Sequence, residues 1–155
     1  MTKKFLSELI YGGMDGIITT VAIVSGVLGA DISYRYAFIL GISSLFADGF
    51  SMGISRYNSL SDINNDINYS PLISGIATFL SFVILGFLPL IPFLFYDESN
   101  KNITHIIILF SILSFLIIGF IKGIYTKKIF KSLFETVIIG STGSLISYYV
   151  ASYFK

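Results

Sequence analysis

Apolar positions dominate this chain in five long runs, separated by short stretches that gather most of its charges and turn residues. The runs cover roughly 5–29, 36–57, 71–95, 103–125 and 133–154. Each is close to the ~20 residues needed to cross a hydrocarbon core of roughly 30 Å as a helix. None alternates polar and apolar positions as the strands of a membrane barrel do. The pattern therefore predicts an all-α, polytopic membrane protein: one transmembrane domain spanning 1–155, built as a bundle of five helices. The connections are short, at 30–35, 58–70, 96–102 and 126–132. The second is polar, and no linker separates domains.

Composition sharpens this picture. The chain is 54% hydrophobic and 12% charged, against about 25% charged residues in soluble domains. A net charge of +1 gives no bulk signal for nucleic acid. There is no cysteine and one histidine, His105, at the start of the fourth run, so thiolate metal sites and cysteine chemistry are excluded. No phosphate loop, catalytic triad or zinc signature is present, and the chain is not expected to be an enzyme. Lys3 and Lys4 precede the first run and no small-residue cleavage site follows, so that run is expected to remain as a signal anchor. Lys3, Lys4, Arg56, Lys122, Lys127, Lys128 and Lys131 fall at one end of the expected bundle, and Arg35, Lys101 and Lys155 at the other. By the positive-inside rule the N-terminus is cytoplasmic.

Against this apolar background two aspartates stand out. Asp15 lies in Gly12-Gly13-Met14-Asp15-Gly16, and Asp48 in Leu45-Phe46-Ala47-Asp48-Gly49. A carboxylate at the centre of a span costs roughly 2.5–3.5 kcal/mol on insertion scales, and it usually faces a bundle interior or a wet cavity. Counting helix rise from the N-terminal end puts both at similar depth, about 14 Å in. On the second helix Ser44, Asp48, Ser51, Met52 and Ser55 share one face. On the first, Asp15, Thr19, Ala22, Gly26 and Gly29 make a stripe of small and polar groups. A pathway between these stripes is expected, with Asp15, Asp48 and Met52 as ligands and Thr19, Ser44 and Ser51 in support. Carboxylates with one thioether suit Fe²⁺ and, less well, Mn²⁺. The metal is cargo here, not a resident cofactor. The plainer alternatives are an N-cap role for Asp15, a structural ion pair of Asp48 with Arg56 or Lys122, and simple packing for Met52. Further along, Pro89 and Pro92 are expected to kink or end the third helix. Ser132-Leu133-Phe134-Glu135 matches a capping box opening the fifth, which leaves Glu135 structural.

These residues resemble the vacuolar iron transporter family. The likeness is carried by Tyr11-Gly12-Gly13-Met14-Asp15-Gly16-Ile17-Ile18-Thr19-Thr20, by Val24-Ser25-Gly26-Val27-Leu28-Gly29-Ala30, and by Leu45-Phe46-Ala47-Asp48-Gly49-Phe50-Ser51-Met52-Gly53. It extends through the third run and, less specifically, the fifth. The resemblance implies a five-span homodimer in the lipid bilayer, of a vacuolar, other internal or plasma membrane. Such a dimer exports Fe²⁺, and often Mn²⁺, from the cytosol in exchange for protons, with Asp15 and Met52 lining the pathway near the dimer axis. Three departures from the family pattern stand in the chain. The long acidic domain between the second and third spans is reduced to 58–70, with Asp62 and Asp66 as its acids. A common glutamate is replaced by Ser44, one turn from Asp48. A common Gly-Glu-Tyr reads Ser55-Arg56-Tyr57, which puts a repulsive charge at the cytoplasmic mouth unless Arg56 snorkels or pairs with Asp62. That last departure and the reduced acidic domain favour a second possibility, a membrane assembly protein that keeps the fold without transporting. A passive cation channel is a third.

Overall fold

The computed structural model describes residues 3–61, 70–96 and 102–155. Its helices are α1 (Lys3–Ala30), α2 (Tyr34–Ser61), α3 (Pro71–Gly86), α4 (Pro92–Phe95), α5 (Ile103–Thr126) and α6 (Ile129–Tyr153), with a 3₁₀ turn at Leu88–Leu90. Five of the segments are long and apolar enough to cross a membrane, the third being α3 continued through the 3₁₀ turn to Leu90. No strand occurs among the described residues.

The element boundaries follow local chemistry. Pro71 opens α3 at its first turn, where its missing N–H costs nothing. Pro89 and Pro92 fall where α3 gives way to the 3₁₀ turn and the short α4, so the expected break in the third run is present. Both αL positions are helix C-terminal residues, Asp31 (φ 55°) and Lys127 (φ 56°), each reversing the chain within a few residues. One boundary differs from expectation. α6 starts at Ile129, not at Ser132, so the Ser132–Glu135 pattern is not a capping box. Ser132 is buried inside the helix, with its hydroxyl 3.0 Å from that of Thr126.

α1 is the central helix. It packs against α3, α6, α2 and α5, while α2 and α5 close against α3 and α6 respectively. Among transmembrane helices such packing depends on close backbone approach and interhelical hydrogen bonds more than on apolar burial. At the α1–α3 crossing a methyl group on Gly12 would meet Ser81 and the Thr78 carbonyl, and one on Gly16 would meet the Phe82 carbonyl. Apolar clusters around Leu45, Phe82 and Leu90, and around Ile17, Val21 and Phe115, fill the remaining interior.

α1 and α2 have 28 residues each, about 42 Å of helix, which is longer than the hydrocarbon core. Asp15 and Asp48 sit within two residues of the midpoints of their helices. Because the helices run antiparallel, the carboxylates share a depth near the middle of the bundle, as the count from sequence predicts.

Candidate functional site

α1 buries most of its surface but leaves one strip open, on which Tyr11 and Asp15 are exposed. Helix α1 runs unbroken from Lys3 through Asp15, which removes the N-cap alternative for this residue. A cavity of about 520 Å³ lies on the strip. It is lined by Ser7, Tyr11, Met14 and Asp15 of α1, Met52 of α2 and Lys122 of α5, among others. One carboxylate, two thioethers and the hydroxyls of Ser7, Tyr11, Tyr125 and Thr126 thus line a common space, with an ammonium group at its wall.

Of the residues singled out from sequence, Asp15 and Met52 are brought to this cavity. Asp48 is not among its lining residues. It is exposed on the adjoining face of α2, where its carboxylate accepts a hydrogen bond from Ser44 one turn before it. Its bond to Ser44 replaces the expected alternative of an ion pair with Arg56 or Lys122. Asp48 is nonetheless the neighbouring charge that acts on Asp15. Ser51 is exposed on α2, and Thr19 is half-buried on α1.

The stripe of small residues on α1 divides. Its first half, at Asp15, faces the open strip. Its second half packs against α6 instead of α2: Ser147 Oγ donates to the Ala22 carbonyl at 2.6 Å, Ser152 Oγ donates to the Gly29 carbonyl at 3.0 Å, and Gly26 lies against Ser147. A pathway running the full length of the α1–α2 stripes is therefore not what the fold provides. The open part is the half nearer the N-terminal end. Among the described residues no three acidic or histidine side chains converge as a metal cluster.

Arg56 is also placed differently from expectation. Its partner is Glu8 of α1, a residue the sequence pattern did not single out. The guanidinium donates through Nη2 to Oε1 at 2.7 Å and through Nε to Oε2 at 2.9 Å. The Glu8 side chain is 2% exposed and that of Arg56 28%. Thr78 Oγ1 lies 3.0 Å from Oε2, and Ser81 Oγ donates to the Glu8 carbonyl at 3.1 Å. One ion pair thus ties α1, α2 and α3 together, two turns before Asp15 and one turn after Met52. The charge of Arg56 is spent inside the bundle and does not stand free at the mouth. Asp62, its expected partner, lies outside the described residues, as does Asp66.

Two signals for Glu8 were present in the sequence. It is the other acid of the first apolar run, and it sits seven residues before Asp15, hence near the same face. Met14 was equally readable as the neighbour of Asp15. Lys122 pairs with Glu135 of α6 at 3.2 Å while lining the Asp15 cavity.

The architecture defines a multi-pass helical membrane protein with an acidic, thioether-bearing cavity opening on one face. Comparison with known proteins narrows the class. The family model of the VIT family matches residues 6–67 and 60–152, and the chain belongs to that family. The two matched stretches overlap at residues 60–67. A vacuolar iron transporter of Plasmodium berghei is 48% identical over 59 residues, 38% of this chain and 22% of the relative. One from Toxoplasma gondii is 42% identical over 58 residues, covering 37% and 19%. Vacuolar iron transporter 1 of Eucalyptus grandis is 33% identical over 79 residues, covering 50% and 31%. The matched stretches thus span less than a third of the length of these relatives.

Proposed function

We propose that the chain carries a divalent first-row metal ion across a membrane, Fe²⁺ foremost and Mn²⁺ next, moving it away from the cytoplasmic side in exchange for protons. The observation that carries this reading is Asp15, a mid-span carboxylate opening into the same cavity as Met14 and Met52. Carboxylate oxygen with thioether sulfur is a mixed hard and soft set that suits Fe²⁺ better than Mg²⁺ or Ca²⁺. A carboxylate holds either a proton or a metal ion, so competition at one site couples the two fluxes.

The same face supports a homodimer. Asp15, Asp48 and Ser51 are exposed on α1 and α2. Presented to lipid, each carboxylate would cost roughly 2.5–3.5 kcal/mol. A second copy placed by a two-fold axis over this face covers them and doubles the donors. It also adds ligands to a chain whose described residues gather no three acidic or histidine side chains. The iron in the relatives' names agrees with this reading. Of the two grounds for an inert assembly protein, Arg56 loses force because Glu8 neutralises it, and the reduced segment at 58–70 still stands.

Thermal unfolding of the purified protein in detergent, with FeCl₂ under anaerobic conditions, MnCl₂ or MgCl₂, tests the reading. Stabilisation by Fe²⁺ of about 2.7 kcal/mol at a hundred times the dissociation constant is expected, absent in Asp15→Asn and weak with Mg²⁺. No response to any of the ions in the wild type identifies an inert scaffold and overturns the proposal.

A further inference from the structure

The turn from α5 to α6 gathers a second group of charges beside the Asp15 cavity. Lys127 takes the αL conformation at the end of α5, and the Lys128 N–H closes the turn on the Gly123 carbonyl at 3.1 Å. This reversal sets Lys128 and Lys131 beside Lys122. The three lysines, with Thr126, Ser132 and Glu135, line a recess of about 240 Å³. Glu135 is its one acid, 3.2 Å from Lys122 and 3.6 Å from Lys131. Its two hydroxyls, Thr126 and Ser132, bond each other, and Thr126 Oγ1 donates to the Lys122 carbonyl at 2.9 Å. Three ammonium groups against one carboxylate leave the recess with two positive charges in excess. That is the chemistry of a phosphate receptor.

The surroundings say where the phosphate comes from. Phe130 and Phe134, one turn apart on α6, are 89% and 70% exposed, and Ile124 and Tyr125 of α5 are exposed beside them. An apolar fringe next to a basic recess at the end of a spanning helix suits a molecule with a charged head and hydrocarbon tails. Basic pockets between transmembrane helices at the membrane surface take anionic lipid headgroups on the same principle.

We propose that the Lys122–Lys128–Lys131 recess is a binding site for the phosphate headgroup of an anionic lipid, with its acyl chains laid along Phe130 and Phe134. Lys122 and Thr126 line both this recess and the Asp15 cavity. A bound phosphate therefore holds the Lys122 charge away from Asp15 and makes the cavity more receptive to a cation. This consequence rests on the transport reading; the lipid site itself does not.

The test is native mass spectrometry of the detergent-purified full chain with dioleoyl phosphatidylglycerol or dioleoyl phosphatidylcholine, repeated against millimolar inorganic phosphate. Wild type is expected to retain phosphatidylglycerol preferentially. Lys128→Ala/Lys131→Ala should lose about 30-fold of that preference, at about a fivefold loss per lysine near the surface. Glu135→Gln, which frees Lys122 and Lys131, should bind phosphatidylglycerol several-fold more tightly, a gain that misfolding does not imitate. Equal retention of the two lipids by wild type, or a preference that none of the substitutions moves, overturns the site. Displacement of the lipid by inorganic phosphate at equal concentration overturns the lipid assignment in favour of a free-phosphate site. Because metal is absent throughout, these outcomes are independent of whether the chain transports.

Discussion

Removing Arg56 should unfold the bundle at its α1–α2–α3 junction. In Arg56→Ala the Glu8 carboxylate, 2% exposed in the wild type, loses the guanidinium and keeps its contact with Thr78 Oγ1 at 3.0 Å. Breaking a buried pair by deleting one partner costs about 3–5 kcal/mol, because a charge is left without compensation. Arg56 is 28% exposed, so water can follow into the space, and the lower end applies, about 3 kcal/mol. For a chain of this size that lowers Tm by roughly 6–12 °C. Arg56→Lys keeps the charge but loses the two-pronged contact to Oε1 and Oε2, and should cost about 1.5 kcal/mol. Glu8→Leu/Arg56→Leu removes both charges and should come back to within about 1 kcal/mol of wild type. The assay is thermal unfolding in detergent, followed by tyrosine fluorescence. If Arg56→Ala melts within a degree of wild type, the pair does not clamp the helices. If the double leucine variant is as damaged as Arg56→Ala, the unpaired charge is not the cause.

Other outcomes follow from the same contacts. Gly16→Val places side-chain carbons against the Phe82 backbone and should cost about 2 kcal/mol or more by forcing α1 from α3, seen as a lowered Tm. At the other end of the bundle, the hydrogen bond and charge of Lys155 hold the Asp31 carboxyl below its ordinary value. A lowered carboxylate value favours the folded state above the unfolded value of 3.8 and loses that advantage as pH falls through the folded one. Lys155→Gln should return Asp31 to the ordinary range, read by carbon NMR titration of labelled aspartate, with the difference fading in high salt.

The spans and the site were not equally readable from the chain. Five apolar runs required five crossing helices, and Pro89 and Pro92 marked where the third would break. The start of α6 was misplaced because Ser132 and Glu135 have capping-box spacing, yet Ser132 is turned inward to Thr126 and Glu135 outward to Lys122. Periodicity reported that Asp15, Ala22, Gly26 and Gly29 share a stripe but not which neighbour covers each part. α6 takes the far half because Ser147 and Ser152 reach the carbonyls of Ala22 and Gly29. The Glu8–Arg56 pair joins residues 48 apart on different helices. No local pattern shows such a pair, and Arg56 read alone appeared as an obstacle at the mouth. Asp15 stood out because a carboxylate in mid-span is costly enough to mark itself, and Met52 because it lies one turn from Asp48.

Flux measures the central claim most directly. Purified protein in liposomes, loaded with a Fe²⁺-sensitive dye and given a pH gradient, should accumulate Fe²⁺ faster than empty liposomes, and the rate should fall when the gradient is collapsed. Asp15→Asn should reduce that flux to the level of empty liposomes while melting within a few degrees of wild type, and Met52→Leu should favour Mn²⁺ over Fe²⁺. Undiminished Fe²⁺ flux through a folded Asp15→Asn protein would contradict the account.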